Sequence, residues 1–198
     1  CVDFLAASEV TDLFICVNNQ RANFRSKAWE AVWDGLDPKG GDEQPFFAKV
    51  PASDLATREF CRSFCRLYEQ GCNYPERMLA RARKMHVAGW ISVRMNDAHF
   101  GGQPNHPYHS TFWRTHPEWY LADGGGQGEE LDYARPEVRE HYLSLIREMC
   151  EGYDLDGLEL DFMRFPAFFH PAQWRQGGEL MTGFVREARS ITQRASKR

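Results

Sequence analysis

No apolar run in the 198 residues approaches the eighteen or so needed to cross a bilayer, and no basic, apolar, small-residue leader opens the chain. Membrane insertion is not expected of this stretch. Six cysteines, Cys1, Cys16, Cys61, Cys65, Cys72 and Cys150, are too few for a disulfide scaffold, so packing must carry the stability. Cys61 and Cys65 lie one helical turn apart with Cys72 just past a glycine, but the spacing fits no zinc pattern and buried free thiols are common. Positive charge is also short. Lys plus Arg number 24 against 28 Asp plus Glu, a net charge of -4, which gives no electrostatic grip on a phosphate backbone. Nucleic acid is therefore not expected as a partner.

What is present is a core. With 42% hydrophobic, 14% aromatic and 26% charged residues, the chain has enough apolar material to fold, and its length suits one domain spanning 1–198. It opens on Cys1 and closes on the basic run Arg194 to Arg198, so it is expected to be a piece of a longer protein, with compartment and oligomeric state left open. Three segments alternate as strands do. Leu13, Ile15 and Val17 oppose Phe14, Cys16 and Asn18; Ile91, Val93 and Met95 oppose Ser92, Arg94 and Asn96; Leu158, Leu160 and Phe162 oppose Gly157, Glu159 and Asp161. Between and after them run helical patterns: one capped by Asn73 and opened by Tyr74 and Pro75, one opened by Pro136 with Val138, Tyr142, Leu145, Ile146 and Met149 on its buried face, and a last one carrying Leu180, Phe184, Ala188 and Ile191. Strand and helix in alternation predict an α/β fold with parallel strands.

Two inserts, at about 19–71 and 99–132, follow the C-terminal ends of strands, the side on which α/β proteins build their sites. The first is expected to hold helices around Ser26 to Trp33 and Asp54 to Tyr68. The second is rich in Gly, Pro, His and aromatics, with Gly124 to Gly126 as its most flexible point. An open sheet covered by helices on both sides should be apolar on both faces, whereas here one face carries Ser92, Arg94, Asn96, Glu159 and Asp161. That favours a (β/α)8 barrel lumen over a doubly wound sheet. A whole barrel needs about 250 residues, so part of one is expected.

Glu159 and Asp161 share a face about 6.5 to 7 Å apart along their strand, with Asp161 at its tip. Two acids so placed match the pairing of a proton donor with an ionised nucleophile or stabiliser; the structural alternative pairs Glu159 with Arg94. Arg94 and Asn96 at the neighbouring tip suit bidentate hydrogen bonds to hydroxyls or to a carboxylate, with Asp97 and His99 opening the loop above. Asp97 could equally serve the turn. Asn18 to Arg21 add polar groups at the first tip. His99, His106, His109 and His116, interleaved with Tyr108, Phe112, Trp113, Trp119 and Tyr120, lack a helical His-x3-His pair, so sugar stacking is favoured over metal, with a hydrophobic lid as the plainer alternative.

The run Asp156 to Pro166 resembles the D-G-[IL]-x-[LF]-D-[FY]-x-R-[FY]-P signature of bacterial glycosyl hydrolases with (β/α)8 barrels, families related to α-galactosidase-type barrels. Leu131 to Arg139 is similar to their N-P-x-V-R helix start, and Arg94 to His99 resembles a strand-three tip. The similarity spans about 73–189 and leaves the first insert unmatched. It implies a partial barrel of strands two to four, a carbohydrate substrate, no cofactor, Asp161 as nucleophile, and a general acid on a later strand that these residues do not include. The expected site is thus Asp161, Glu159 and Asp97 for catalysis and Asn18, Arg94, Asn96, His99, Trp113, Trp119 and Arg164 for the oligo- or polysaccharide. The alternatives are a carbohydrate-binding barrel without catalysis, and a metal-dependent hydrolase or isomerase using Asp97, Glu159, Asp161 and loop histidines.

Overall fold

The computed structural model describes residues 2–121 and 129–196; Gly124 to Gly126 lie outside the described residues. Strands form where the alternation is clearest: β1 (Asp12–Cys16), β2 (Ala88–Arg94) and β3 (Gly157–Asp161). All pairing is parallel in the order β1-β2-β3, with Ile15 beside Ile91, Ile91 beside Leu158, and Arg94 beside Asp161. The helices are α1 (Val2–Ala6), α2 (Leu55–Glu69), α3 (Tyr74–Lys84), α4 (Thr111–Arg114), α5 (Pro136–Gly152) and α6 (Trp174–Ala195).

Local chemistry sets their ends. Asp54 caps α2 by accepting from the Thr57 backbone N–H at 3.0 Å and the Thr57 hydroxyl at 2.7 Å. The same helix closes on Gly71 at φ +68°, with Gly71 N–H bonded to Tyr68 O and Cys72 N–H to Leu67 O, both at 2.9 Å. That double closure needs a left-handed residue, the conformation glycine adopts without strain. Proline opens α3 and α5 as expected. Asn73, however, does not cap α3 with its side chain, which instead donates to the Tyr153 hydroxyl at 3.1 Å.

One face of the sheet makes the core. Ile15, Val17, Ile91, Val93 and Met95 are almost fully enclosed and share a single cluster with Leu79 of α3, with Val138, Tyr142, Leu145, Ile146 and Met149 of α5, and with Phe184, Ala188 and Ile191 of α6. Gly89 lets α3 approach closely, since a Cβ there would come within 2.7 Å of Leu79 Cδ2. The α2 helix packs in a separate cluster through Cys61 and Cys65, with Ala31, Val32, Trp33 and Phe47 of the first insert.

The partial barrel is not what these strands build. The described residues hold three parallel strands in one open sheet whose helices pack on one side only. The polar second face lines no lumen; it is the open side of the sheet, where Phe14 is 50% exposed beside Trp90. Alternation reports that one face is wetter than the other, and a water-facing sheet gives the same pattern as a pore-facing one. No helix of the described residues is long and apolar enough to cross a membrane.

The inserts also depart from expectation. Residues 26–33 form turns rather than a helix, because Ser26 Oγ takes the Ala28 and Trp29 backbone N–H groups while Ala22 pairs with the chain at Glu30 and Val32. A hydroxyl that bonds nearby backbone offers an alternative to helix, and a bridge partner settles the competition. In the second insert, Phe112 stacks on His141 of α5 at 3.8 Å, and His141 stacks in turn on Trp29 at 4.1 Å, so one ring ladder joins both inserts to α5.

Burial pushes His141 down to about 3 and His106, stacked on Phe100, down to about 4, from an ordinary 6.5. Between pH 6.5 and 4 the unfolded chain binds these protons and the folded chain does not. Stability is therefore complete above pH 6.5 and falls as the pH drops through that window, by about 1.4 kcal/mol per pH unit for each histidine. Urea midpoints measured from pH 7 to 4 should decline accordingly, and His141→Phe, which keeps the ring ladder, should flatten the decline; an unchanged slope would count against burial as its cause.

Candidate functional site

The strand tips are knitted together by side chains that replace backbone partners. Past Cys16, Asn18 donates to Arg94 O at 3.0 Å and accepts from Arg94 N–H at 3.0 Å, continuing the β1–β2 ladder with an amide side chain. Asn96 does the same further along: it donates to Leu131 O and Ala167 O at 3.2 and 3.0 Å and accepts from Leu131 N–H at 3.2 Å. Gln20 donates to Asp97 O at 2.8 Å, and the Tyr133 hydroxyl donates to Met95 O. Both asparagines are buried and their amides are spent on backbone. They shape the site by fixing the loops around it, and a substrate would find little of them to bond.

The charged groups stand on this frame. Asp97 is almost wholly enclosed, its side chain 1% exposed, and its carboxylate takes three donors: His99 N–H at 3.1 Å, His99 Nδ1 at 2.7 Å and Arg94 Nη1 at 3.3 Å. With Nδ1 donating to Asp97, His99 Nε2 accepts from Arg164 Nη2 at 2.9 Å. Arg164 therefore reaches across from the loop after β3 to the loop after β2. Arg94 turns to Asp97, so the Arg94–Glu159 ion pair, the structural alternative for Glu159, is not formed.

Asp161 ends β3 half-buried beside Arg94 in the register, and its Oδ1 accepts from Met163 N–H at 2.9 Å, leaving the other oxygen for a ligand. Glu159, two residues back on the same face, lies beside Ser92. The Cys16 thiol sits on this face within reach of the charges of Arg94, Asp161 and Asp97, and burial pushes it up, away from a reactive thiolate.

The aromatic expectations separate. Trp113 is 2% exposed, its indole N–H bonded to Glu129 O at 3.0 Å and its ring stacked on Tyr120 at 4.6 Å, so it packs beneath the second insert and presents no platform to a sugar. Trp119 is half-buried and stacks on His116 at 3.5 Å with Phe112 alongside, within the ring ladder and not beside Asp161. His106 and His109 are enclosed and kept neutral by burial. Among the described residues no three His, Cys, Asp or Glu side chains converge as a metal would require. One carboxyl escaped the sequence reading. Burial and the neighbouring Glu130 charge push Glu129 up, which favours its protonated form at the return of the second insert. Its only signal was two adjacent acids ahead of Leu131.

No protein-family model matches this chain, and a comparison with curated proteins finds no significant relative.

Removing the Asp97 carboxylate leaves Arg94 and His99 without their shared acceptor. Asp97→Ala should cost about 1.5 to 3 kcal/mol, and Asp97→Asn, which keeps one acceptor oxygen, less. Equilibrium denaturation decides it: equal stability for the alanine variant would show that the carboxylate does not hold this corner.

Proposed function

We propose that the chain carries the carbohydrate-cleaving site of a glycoside hydrolase centred on Asp161. The observation that carries this reading is the convergence at one end of the sheet: Asp161 with a free carboxylate oxygen, Arg94 beside it in the register, and the Asp97–His99–Arg164 chain closing the side. A carboxylate at a strand tip, on the wetter face of the sheet, is placed to stabilise the positive charge that develops on a sugar ring as a glycosidic bond breaks, by ion pairing or by direct attack. Glu159, on the same face one strand repeat below, is the second carboxyl of the pair.

The protein's own groups prepare the site in a definite way. Asp97 fixes the His99 tautomer by taking Nδ1–H, and Arg164 holds the ring from the other side. The result is a hydrogen-bonded chain of Asp97, His99 and Arg164 across the loops after β2 and β3, at the strand end where Asp161 stands. The resemblance of the Asp156 to Pro166 run to glycosyl hydrolases supports the same assignment of Asp161, independently of the barrel that was expected with it.

A panel of aryl glycosides and oligosaccharides tests the proposal. On a substrate the wild type cleaves, Asp161→Asn should lower turnover by about three orders of magnitude or more while binding persists, since an amide can neither attack nor offset a cation. Leu160→Asn, at a partly buried position one residue away on the helix-packed face, should instead lower stability by about 1 kcal/mol through lost apolar burial. Near-normal turnover by the Asp161→Asn protein, or binding with no cleavage of any glycoside by the wild type, would overturn the catalytic assignment.

A further inference from the structure

We propose that the outer edge of β3, with the groove between it and α6, is a docking site for an extended segment of another polypeptide in which apolar and basic residues alternate. Among the described residues β3 pairs only with β2. Asp161 O accepts from Met95 N–H at 3.0 Å, so Asp161 turns its main chain towards β2. Main-chain direction alternates along a strand, and Glu159 and Gly157 do the same. Leu158 and Leu160 therefore turn their N–H and C=O groups outward, where no strand meets them.

Those outward groups select the class of partner. An edge that presents N–H and C=O groups at every second residue is completed by another extended main chain. At the opposite edge of the sheet the protein supplies a partner of its own, the Tyr74 hydroxyl, which donates to Cys16 O at 2.7 Å.

The two faces of β3 specify the partner's side chains. Leu158 and Leu160 lie beside Ile91 and Val93 in the register, yet they are half-buried where Ile91 and Val93 are fully enclosed. Beyond them runs a groove of about 640 Å³, walled by Leu155, Leu158 and Leu160 on one side and by Val185, Ala188 and Thr192 of α6 on the other. A strand added at the edge sends every second side chain into this groove, and apolar ones suit it. The residues between them stand on the other face, about 5 Å from Glu159 and Asp161 across the strands. Arg94 is turned to Asp97, and no ion pair forms on Glu159 or Asp161 among the described residues. Lys or Arg at those places answers the charge. Arg189 lines the groove from α6, on the other side of the sheet from the two acids.

A second copy of this chain fits the edge poorly. The five residues of β3 carry two acids and no cation. Antiparallel pairing of two such strands through Leu158 and Leu160 sets like charges against each other, which is destabilising.

The test uses the intact, isotope-labelled chain with two capped pentapeptides, Val-Lys-Val-Lys-Val and the charge-reversed Val-Glu-Val-Glu-Val, and reads amide hydrogen exchange residue by residue by NMR. At millimolar concentration the lysine peptide should slow exchange at Leu158 and Leu160 severalfold. Gly157 and Glu159, whose N–H groups already face β2, should be unaffected, and the glutamate peptide should do markedly less. Glu159→Lys should erase the preference for the lysine peptide. If that variant fails to fold, the wild-type contrast between the two peptides still decides. Unchanged exchange at Leu158 and Leu160 with either peptide, or equal slowing by both, overturns the proposal. So does slowing that appears without peptide as the chain is concentrated, with a doubled mass by light scattering, since the edge then joins two copies.

Discussion

Beyond the last paired residues of β1 and β2, buried backbone still needs partners, and the arrangement at the C-terminal ends of the strands follows from how that need is met. Asn18 and Asn96 supply it with their side-chain amides, each both donating to and accepting from main chain at the strand tips. An amide side chain can mimic a peptide group in this way because it carries the same donor and acceptor. The consequence is that two long inserts can leave the sheet and return at fixed points without a longer sheet to hold them.

The fixed points then decide where charge goes. Asp97 is buried by the loop that Gln20 and Asn96 hold in place, and a buried carboxylate requires donors, which Arg94 and His99 provide. His99 in turn meets Arg164 from the loop after β3, so the three strand tips share one hydrogen-bonded chain. Asp161 stands at the edge of this chain, tied through a single oxygen. Asp97 is thus committed to positioning Arg94 and His99, whereas Asp161 keeps one oxygen without a protein partner.

The inserts play different parts. The second delivers Trp113, His106 and His109 into packed positions, and its outer rings join the ladder that runs through His141 to Trp29. It works chiefly as a brace between the first insert and α5. The first insert builds its own small core with α2 around Cys61, Cys65 and Trp33, and a ring-walled hollow remains where that core meets α3.

Much of this was legible in the residues themselves. The period-two runs placed all three strands to within a few residues, Pro75 and Pro136 marked the starts of α3 and α5, and Asp161 was recognisable as a tip acid on the wetter face, because these signals depend on near neighbours in the chain. Closure was not legible. A polar strand face looks the same whether it lines a barrel or meets solvent, and only the pairing of β1, β2 and β3 into one open sheet separates the two. Nor was the division of labour at the site. Asn18 and Asn96 look like ligand-binding amides until the backbone groups they satisfy, up to 76 residues away in the chain, are brought beside them. Trp113 looks like a sugar platform until Tyr120 and Glu129 enclose it. The local sequence determined which residues become strands, helices and candidate acids; the tertiary structure alone decided which polar groups are consumed by the protein's own main chain, because that demand is created by segments remote in sequence that fold against them.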